Sequence, residues 1–565
     1  MTAGYTGADL FADALSRYGV AHVFGNPGTT ELPVVHAVAE SDAEYVLGLH
    51  EDIAVGMAAG YACNRRYHSH HDPDVTPVGV ANLHVAPGLA HGLGNLYAAK
   101  WTGAPLVVTA GTHALGFQHE EPILSGDLEA MADQYCKWAD EVADVDALPT
   151  MLRRAVRVAL TPPTGPVFLA LPVDVMRAGT DPGEIEPLGP IPDAGAGDPA
   201  AIDRAADRLA AADDPTLVVG DHVARAGREA VDAAVSLAEA AGARVHGEIL
   251  SCEVNFPADH DQWVSHVPPD EDLARLLLDG DPVVLAGCST NTTLTSRESD
   301  LIDPETPCVH VGPDPWELGK NQPADAAVVG DPGRVLDALA DRVAARIDDD
   351  ERERRRERVA EIAASLSDTV AAIGEDETPP GETRAGKHEL VDALSSVAPD
   401  ALVVDEGVTA RYALLTRWPL GPEQLLGNKG GGLGYGLPAA VGAALAESLR
   451  PDPRDVLGYV GDGSYLYYPH TLYSAARYGV DLTVVIPDNR NYRILKDNTL
   501  DMLGGTEDDY AFPGMDFDPP VDIAANAESH GARGHLVETP GDIAETVGTA
   551  LGRDGPDVVD VLVHD

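Results

Sequence analysis

Asp462 and Asn489 carry the side chains that point most directly to chemistry in this chain. Asp462 stands in the run VGDGS at 460–464, and Asn489 follows 27 positions later in DNRNY at 488–492. Carboxylate and amide oxygens suit a hard divalent cation such as Mg²⁺, which takes its remaining ligands from phosphates. The two glycines let backbone N–H groups approach a diphosphate, and a serine hydroxyl adds a donor. The run predicts a magnesium–diphosphate site, with an ordinary strand-end turn as the alternative.

The elements around these residues explain how they come together. Residues 456–460 and 482–486 have the apolar composition of strands, and the segment between them has the pattern of a helix. Parallel strands joined by a right-handed crossover end at the same edge of a sheet. Open parallel sheets bind ligands at that edge. We therefore expect Asp462 and Asn489 to lie close together at one sheet edge.

This spacing resembles the cofactor motif of thiamine diphosphate enzymes, in which Gly-Asp-Gly is followed by asparagine at about this distance. The resemblance implies that Asp462, Asn489 and the carbonyl oxygen of Asn491 bind Mg²⁺. It also implies contacts with the cofactor diphosphate, made by Gly461, Gly463 and Ser464. The expected cofactors are therefore thiamine diphosphate and Mg²⁺.

Length and charge narrow the class of protein. The chain has 565 residues, enough for three or four domains, and a net charge of −54. Only six of its 38 basic residues are lysines, and the acidic residues are spread along the whole chain. Such a surface is typical of a halophilic protein, because high salt screens the self-repulsion. A partner for polycations is the alternative, and binding to nucleic acid through phosphates is not expected.

The cysteines and the apolar runs predict a cellular compartment. The five cysteines are odd in number and form no CxxC pair, which favours reduced thiols in the cytosol. The N-terminal residues lack a basic region followed by an apolar run, and no apolar stretch is long enough to span a bilayer. We therefore expect a cytoplasmic protein without membrane contact.

We expect three doubly wound α/β domains with mainly parallel sheets, at residues 1–185, 196–346 and 386–565. Helical and strand-like runs alternate throughout, and two loose stretches, roughly 181–199 and 374–387, separate the three blocks. By the resemblance, these blocks are the pyrimidine-binding, central and diphosphate-binding domains of thiamine diphosphate enzymes.

Glu51 begins a helical run rich in small residues, LHEDIAVGMAAGYA at 49–62. A carboxylate at this position could simply be favoured by the helix dipole. Thiamine diphosphate enzymes, however, carry a glutamate followed by a similar helix. The resemblance implies that Glu51 hydrogen-bonds N1′ of the aminopyrimidine and so promotes removal of the thiazolium C2 proton. This role requires a dry site in which the carboxylate has a raised proton affinity.

A glycine-rich segment, GGGLGYGLP at 430–438, precedes another helical run. Its spacing differs from GxGxxG and no acid follows at the required distance, so it is a weak signal for dinucleotide binding. The resemblance implies instead that Leu433 lies under the cofactor and forces its bent conformation. The carbonyl oxygen of Gly431 would then accept the 4′-amine. Thr409, after the strand at 401–404, is a further expected diphosphate contact.

The segment VFGNPGTTELP at 23–33 indicates where a substrate would bind. It resembles the N-terminal signature of benzoylformate decarboxylase. That family has a serine where Thr29 stands, so Thr29 is expected to meet the substrate carboxylate. The sequence Asn-Leu-His at 82–84 matches the same family, which implies that His84 donates and accepts protons. Further matches extend the resemblance over most of the first and third blocks.

The chain also departs from that family. The family's second catalytic histidine comes from the central domain, and none stands around residues 287–294. His113 or His119 could replace it. The histidines within 68–71 are expected in a solvated loop and without a catalytic role.

The segment after the cation motif departs as well. The side chains expected to line the substrate pocket are Ile494, Leu495 and Asn498. Ile494 replaces a small residue of the family, and Asn498 replaces an aromatic one. These changes imply a narrower and more polar pocket, which suits a small aliphatic or acidic 2-oxo acid better than an aryl one.

The sequence therefore predicts a thiamine diphosphate- and Mg²⁺-dependent decarboxylase that releases an aldehyde from a small 2-oxo acid. Acetolactate synthase is the nearest alternative, although it usually has Ser-Gly-Pro-Gly where this chain has HVAPG at 84–88. FAD, which that enzyme often binds in its central domain, is possible but has no clear site. A non-catalytic cofactor-binding homologue is a third alternative. In the family, the glutamate and the cation motif meet across a subunit interface, which implies a homodimer or homotetramer.

Overall fold

A computed structural model describes residues 4–183, 185–289, 297, 299–375 and 378–565. Within these residues the chain forms three six-stranded sheets, and every strand pair in them is parallel. Helices connect the strands, so the expected class of three parallel-sheet α/β domains is confirmed. Each sheet lies within one of the three expected ranges, whose exact boundaries stay a prediction. Parallel strands are buried on both faces, which explains why most of these strands are almost continuously apolar.

Six strands form the sheet of the first domain: β1 (His22–Gly25), β2 (Glu44–Leu47), β3 (Gly79–His84), β4 (Leu106–Thr112), β5 (Ala139–Glu141) and β6 (Val167–Pro172). Its helices among the described residues are α1 (Gly7–Arg17), α2 (Leu32–Ala39), α3 (Glu51–His71), α4 (Val85–His91), α5 (Leu93–Thr102), α6 (Leu128–Asp133), α7 (Leu148–Leu160) and α8 (Val173–Arg177). The strand order is β2-β1-β3-β4-β6-β5. The direction of winding switches between β1 and β3, so their carboxyl ends frame a ligand-binding crevice.

The central domain contains β7 (Thr216–Val219), β8 (Arg244–Gly247), β9 (Trp263–His266), β10 (Val283–Ala286), β11 (Cys308–Gly312) and β12 (Ala326–Val329). The helices that the structure describes in this domain are α9 (Pro199–Ala210), α10 (His222–Arg225), α11 (Arg228–Ala241), α12 (Glu271–Leu277) and α13 (Pro332–Ala344), and α14 (Asp349–Ala371) follows the domain. The strand order is β12-β11-β10-β7-β8-β9. Counted within the domain this is 3-2-1-4-5-6, the order of many nucleotide-binding sheets. Such an order describes a fold and by itself assigns no ligand.

The third domain contains β13 (Leu402–Glu406), β14 (Leu425–Gly427), β15 (Val456–Val460), β16 (Leu482–Asp488), β17 (Arg533–Val537) and β18 (Pro556–Leu562). Its helices are α15 (Lys387–Val397), α16 (Arg411–Arg417), α17 (Gly436–Glu447), α18 (Asp462–Tyr465), α19 (Thr471–Arg477), α20 (Arg493–Leu503), α21 (Ile523–Ser529) and α22 (Ile543–Leu551). The order β14-β13-β15-β16-β18-β17 repeats that of the first domain. The winding therefore switches between β13 and β15, which places the ligand crevice at their carboxyl ends.

Short sequence signals set the starts of several helices. Asp198 and Asp331 each precede a proline, and their side chains accept a backbone N–H from the first turn of α9 and α13. An aspartate cap followed by proline at the first helical position is a strong start signal. None of the helices that the structure describes combines the length and the apolar character required to cross a membrane.

The first and third domains pack through α3 and α17. A Cβ atom added at Gly60 would lie 2.1 Å from the carbonyl oxygen of Ala439, and one added at Gly442 would lie 1.9 Å from that of Met57. The backbones of the two helices therefore approach so closely that only glycine fits at these positions. The small residues of α3 are explained by this contact with α17.

A buried ionic cluster joins the third domain to the central one. The Lys429 ammonium lies 2.7 Å from Asp221 and 2.6 Å from Glu248, and all three side chains are almost completely buried. The pKa of Asp221 is held well below its ordinary value, because Lys429 and then Arg225 outweigh the effect of burial. Nearby, Arg66 of the first domain lies 2.7 Å from Glu253. Charged contacts thus meet where all three domains adjoin.

The expectation of a solvated loop for the histidines within 68–71 was wrong, because α3 continues to His71. His70 Nδ1 lies 2.9 Å and His71 Nε2 2.7 Å from the carboxylate of Glu423. His68 is buried, and its Nε2 lies 3.3 Å from Glu447. These histidines therefore attach the last turns of α3 to the third domain.

Candidate active site

The cation motif lies at the carboxyl edge of the third sheet. β15 ends at Val460 and β16 at Asp488, and the two strands are hydrogen-bonded neighbours. One pocket at this edge is lined by the expected metal ligands and most of the expected cofactor contacts, namely Asp462, Asn489, Asn491, Thr409, Leu433, Gly461, Gly463 and Ser464. The β-α-β unit therefore brings Asp462 and Asn489 together, and the loops after β13 and before α17 add Thr409 and Leu433. The ligands that these residues bind stay a prediction.

Three buried polar atoms of this pocket have no hydrogen-bond partner among the described residues: Asp462 Oδ2, Ser464 Oγ and Asn491 Oδ1. The other oxygen of Asp462 accepts the N–H of Gly463 at 2.8 Å. The amide nitrogen of Asn491 donates to Asp565 at 2.9 Å, which leaves the amide oxygen free. Buried polar atoms are normally paired, so unpaired ones call for a ligand. Two oxygens and a hydroxyl fit a hard cation that is shared with a diphosphate.

Asp488, to which the motif assigned no role, lies beside Asp462. Burial, followed by the Asp488 carboxyl, raises the pKa of Asp462 to about 8. Burial and then Asp488 also raise the pKa of Asp560, on the neighbouring strand β18, to about 8. A bound cation would stabilise the ionised forms of these carboxyl groups. Asp560 lies 98 positions beyond Asp462, so no local motif could reveal that they share one end of the sheet.

Glu406 attaches the glycine-rich loop to the end of β13. Its carboxylate accepts three consecutive backbone N–H groups, those of residues 434–436, at 3.1, 3.2 and 2.8 Å. Burial raises the pKa of Glu406 to about 8, although these donors oppose the shift. Leu433 lines the pocket, whereas Gly431 lies on the exposed part of the loop.

Glu51 is the first residue of α3 and lies apart from this pocket. Its Oε2 atom is 3.2 Å from Nδ1 of His91, and the side chain is only 13% exposed. Every residue that lines the pocket around Asp462 and belongs to the described part of the chain comes from the third domain. Among the described residues of a single chain, Glu51 therefore does not line the pocket that contains Asp462.

His84 lies at the end of β3 and is held by an acid to which the sequence motifs assigned no role. Its Nδ1 atom is 2.7 Å from Oε2 of Glu31, whose side chain is fully buried. Thr30 donates its hydroxyl to the other carboxylate oxygen of Glu31 at 2.6 Å. A Cβ atom at Gly28 would lie 2.0 Å from the imidazole, so glycine makes room for this pair. Glu31 stands within the signature at 23–33, but only the fold shows its contact with His84.

The other candidates for proton transfer and substrate binding are placed as follows. Thr29 is exposed at the same sheet edge as His84, one residue before the threonine that contacts Glu31. His113 follows the end of β4, the strand beside β3, and its buried Nδ1 has no partner among the described residues. His119 is exposed in a short 3₁₀ turn. Of the segment 287–294 that lacks a histidine, residues 290–294 lie outside the described part of the chain.

The expected substrate-pocket residues all lie on α20. Ile494 lines the same pocket as Asp462. Leu495 is exposed, and Asn498 is partly buried. Their roles toward a substrate stay predictions.

Known proteins resemble this chain over almost its whole length. Three family descriptions match it: the N-terminal TPP-binding, central and C-terminal TPP-binding domains of thiamine pyrophosphate enzymes, at residues 5–135, 202–339 and 406–561. None of these descriptions names FAD. Benzoylformate decarboxylase from Pseudomonas aeruginosa is 31% identical, with 97% of each chain covered. A candidate acetolactate synthase large subunit from Mycobacterium tuberculosis is 30% identical, with 99% of each covered.

A solved structure agrees with these relatives. The thiamine diphosphate-dependent 4-hydroxybenzoylformate decarboxylase of Rhodococcus jostii RHA1 superimposes with a TM-score of 0.84 at 27% identity. The match covers 99% of this chain and 99% of that one.

Proposed function

Because the chain belongs to the thiamine pyrophosphate enzyme family, we propose that it is a Mg²⁺-dependent, non-oxidative decarboxylase of a 2-oxo acid. The cofactor, thiamine diphosphate, supplies a thiazolium ring that accepts the electron pair left when carbon dioxide departs. Asp462, Asn489 and Asn491 would hold the cation. Ser464 and Thr409 would donate hydrogen bonds to the diphosphate.

The hydrogen bond between His84 and Glu31 carries the proposal of decarboxylation. The carbon that loses carbon dioxide must receive a proton before an aldehyde can leave, so a positioned acid favours this outcome. Glu31 holds Nδ1 of His84 at 2.7 Å, which leaves Nε2 to exchange a proton with substrate. Thr29 is proposed to bind the substrate carboxylate beside this histidine.

We propose that two copies of the chain form each active site. Within one chain Glu51 does not line the pocket that contains the cation motif, whereas in the proposed mechanism Glu51 must contact the aminopyrimidine ring of the cofactor held there. A second copy that turns its third domain toward the first domain of its partner would bring Glu51 and this pocket together. A homodimer is the smallest assembly that meets this requirement, and a homotetramer contains two such pairs.

Ile494 supports a small substrate, because this branched side chain lines the cofactor pocket. We therefore propose an aliphatic or acidic 2-oxo acid rather than an aryl one. The decarboxylase relatives are named for aryl substrates, so we propose that Ile494 makes this pocket select a smaller substrate.

Carboligation of the acetolactate synthase type is the second candidate, favoured by the relative from Mycobacterium tuberculosis. In that reaction the carbon that lost carbon dioxide forms a bond to a second 2-oxo acid instead of accepting a proton. A catalytically inactive cofactor-binding protein is the third candidate.

Product analysis separates the three candidates. The protein, saturated with thiamine diphosphate and Mg²⁺, is incubated in molar KCl with pyruvate, 2-oxobutanoate, 2-oxoglutarate and benzoylformate. High salt is chosen because the net charge of −54 needs screening. One aldehyde per carbon dioxide identifies the decarboxylase, and acetolactate from pyruvate identifies the carboligase. Cofactor binding without carbon dioxide release from any substrate would refute both.

A further inference from the structure

His50, Glu51 and His91 form a compact cluster in the first domain. One possible ligand atom from each side chain lies within 4.8 Å of the other two. Glu51 Oε2 and His91 Nδ1 are 3.2 Å apart. The rings of His50 and His91 are stacked with their centroids 5.1 Å apart. The cluster therefore brings two imidazoles and one carboxylate to a common point, which local sequence does not predict because His91 lies 40 positions beyond Glu51.

The chemistry of this cluster differs from that of the Asp462 pocket. Imidazole nitrogens favour Zn²⁺ and similar first-row transition ions, whereas Mg²⁺ prefers oxygen ligands alone. Nδ1 of His50 accepts the N–H of Asp52 at 3.1 Å, which leaves Nε2 as the ligand atom. Two histidines and one carboxylate are a recurrent zinc-ligand set, with a fourth position open to water. Side-chain movements of about 1 Å would bring the three atoms to about 2.1 Å from one ion.

The cluster is accessible to an ion in the single chain. The side chain of His91 is 58% exposed, and that of Glu51 is 13% exposed. The strongly negative protein also raises the local concentration of divalent cations, although salt weakens this effect.

We propose that the cofactor-free protein binds one Zn²⁺ per chain through His50, Glu51 and His91. The bound ion is ligated by the Glu51 carboxylate, which the proposed function requires for activation of the cofactor. Zinc binding and cofactor activation therefore exclude one another. This exclusion rests on the proposed decarboxylase function, whereas zinc binding itself does not. No covalent bond is formed or broken, and binding releases any proton held by the ligand groups.

Direct titration tests the site. Metal-free full-length protein in molar KCl is titrated with Zn²⁺ against a chromophoric chelator, and a parallel titration uses Mg²⁺. We expect one tight zinc site per chain and no competition by Mg²⁺. With Co²⁺ in place of zinc, visible absorption bands of a nitrogen- and oxygen-ligated ion should appear.

Three variants locate the ion. His91→Asn should weaken zinc binding about tenfold or more, because one of three protein ligands is lost. His36→Asn is the matched control, since His36 is an exposed histidine that lies 3.7 Å from Glu40, and it should bind zinc as the parent does. His71→Asn tests the competing His70–His71–Glu423 cluster. Loss of the site in His71→Asn with retention in His91→Asn would overturn the proposal, as would the absence of stoichiometric zinc binding.

Inhibition provides an independent measurement. Zinc added before thiamine diphosphate should slow carbon dioxide release in the parent and much less in His91→Asn. Equal inhibition of the two proteins would refute competition at Glu51. If no substrate is decarboxylated, the proposed function fails while the chelator titration still decides the zinc site. Circular dichroism confirms that each variant is folded.

Discussion

Nδ1 of His84 and Oε2 of Glu31 are 2.7 Å apart, although the residues are 53 positions apart in the chain. The carboxylate is fully buried and the imidazole is 25% exposed. One nitrogen of the ring is therefore anchored inside the domain, and the other side of the ring is open toward the sheet edge. This asymmetry suits an imidazole that exchanges a proton through its Nε2 atom only. In the proposed reaction it makes Glu31 a positioning residue.

Glu31→Gln should lower kcat about tenfold to a hundredfold with little change in KM, because a neutral amide holds the His84 ring less firmly than a carboxylate and so positions Nε2 less well. Steady-state carbon dioxide release over a range of substrate concentrations measures kcat and KM separately. Glu44→Gln is the control, since it removes another histidine–glutamate pair, 4.0 Å apart, from the same sheet. An unchanged kcat in Glu31→Gln would contradict the assigned role.

Asp462→Asn should abolish Mg²⁺-dependent binding of thiamine diphosphate while it stabilises the cofactor-free protein. At neutral pH the carboxyl of residue 462 is ionised in the unfolded chain, and folding must either protonate it or bury its charge beside Asp488. Asparagine avoids this cost, which should raise the free energy of unfolding by about 1 kcal/mol or more. Calorimetric titration measures cofactor binding, and chemical denaturation measures stability. Asp501→Asn, at an exposed position on α20, should change neither quantity. A destabilised Asp462→Asn protein would show that the carboxylate is structural instead.

Lys429→Met should destabilise the protein by about 3–5 kcal/mol, because Asp221 and Glu248 would remain buried without their counter-charge. Lys429→Arg should recover part of the loss. The midpoint of denaturant unfolding in high salt provides the measurement. Lys100→Met removes an exposed lysine and should have an effect near zero. Similar midpoints for Lys429→Met and Lys100→Met would argue against a stabilising role of the buried ionic cluster between the domains.

Gly442→Ala and Gly548→Ala should change stability in opposite directions. Alanine at residue 442 would clash with the Met57 carbonyl and push α17 from α3, at a cost of about 1–3 kcal/mol. Gly548 lies on the exposed face of α22 with open space around it, so alanine should stabilise that helix by about 0.5–1 kcal/mol. The denaturation midpoints of the two variants, each compared with that of the parent protein, test these opposite changes in stability. A stabilised Gly442→Ala protein would contradict the close helix contact.

Acid should weaken the central domain through His246. Burial, reinforced by Arg244, lowers the pKa of His246 to about 3, whereas an unfolded histidine titrates near pH 6.5. Between these values the unfolded chain binds more protons, so the stability from neutral His246 is complete above pH 6.5 and declines as pH falls. At pH 5 the loss is up to about 2 kcal/mol.

His246→Leu tests this dependence. The variant should lose less stability than the parent between pH 7 and pH 5, as measured by denaturant unfolding at both values. His36→Leu, at an exposed histidine, should keep the parental difference. Identical pH responses of parent and His246→Leu would exclude a contribution from this residue.

Local patterns predicted a large part of the fold and half of the site. The apolar strands at 456–460 and 482–486, with a helix between them, required a β-α-β unit, and its handedness placed Asp462 and Asn489 at one edge. The same local reasoning failed for the histidines within 68–71. Their segment is rich in polar residues, but tertiary contacts with Glu423 extend the helix that contains them.

The sequence by itself determined the three parallel-sheet domains and the residues of the cation motif, because strand periodicity, glycine placement and crossover geometry act over short stretches. Only the tertiary structure decided that Glu31 holds His84, that Asp488 lies beside Asp462 and that Lys429 meets Asp221 and Glu248. The first and last of these contacts join distant parts of the chain. The second depends on how the start of α18, directly after β15, lies against the end of β16. Packing of whole elements sets such contacts, because burial compels charged groups to find partners wherever the fold brings them.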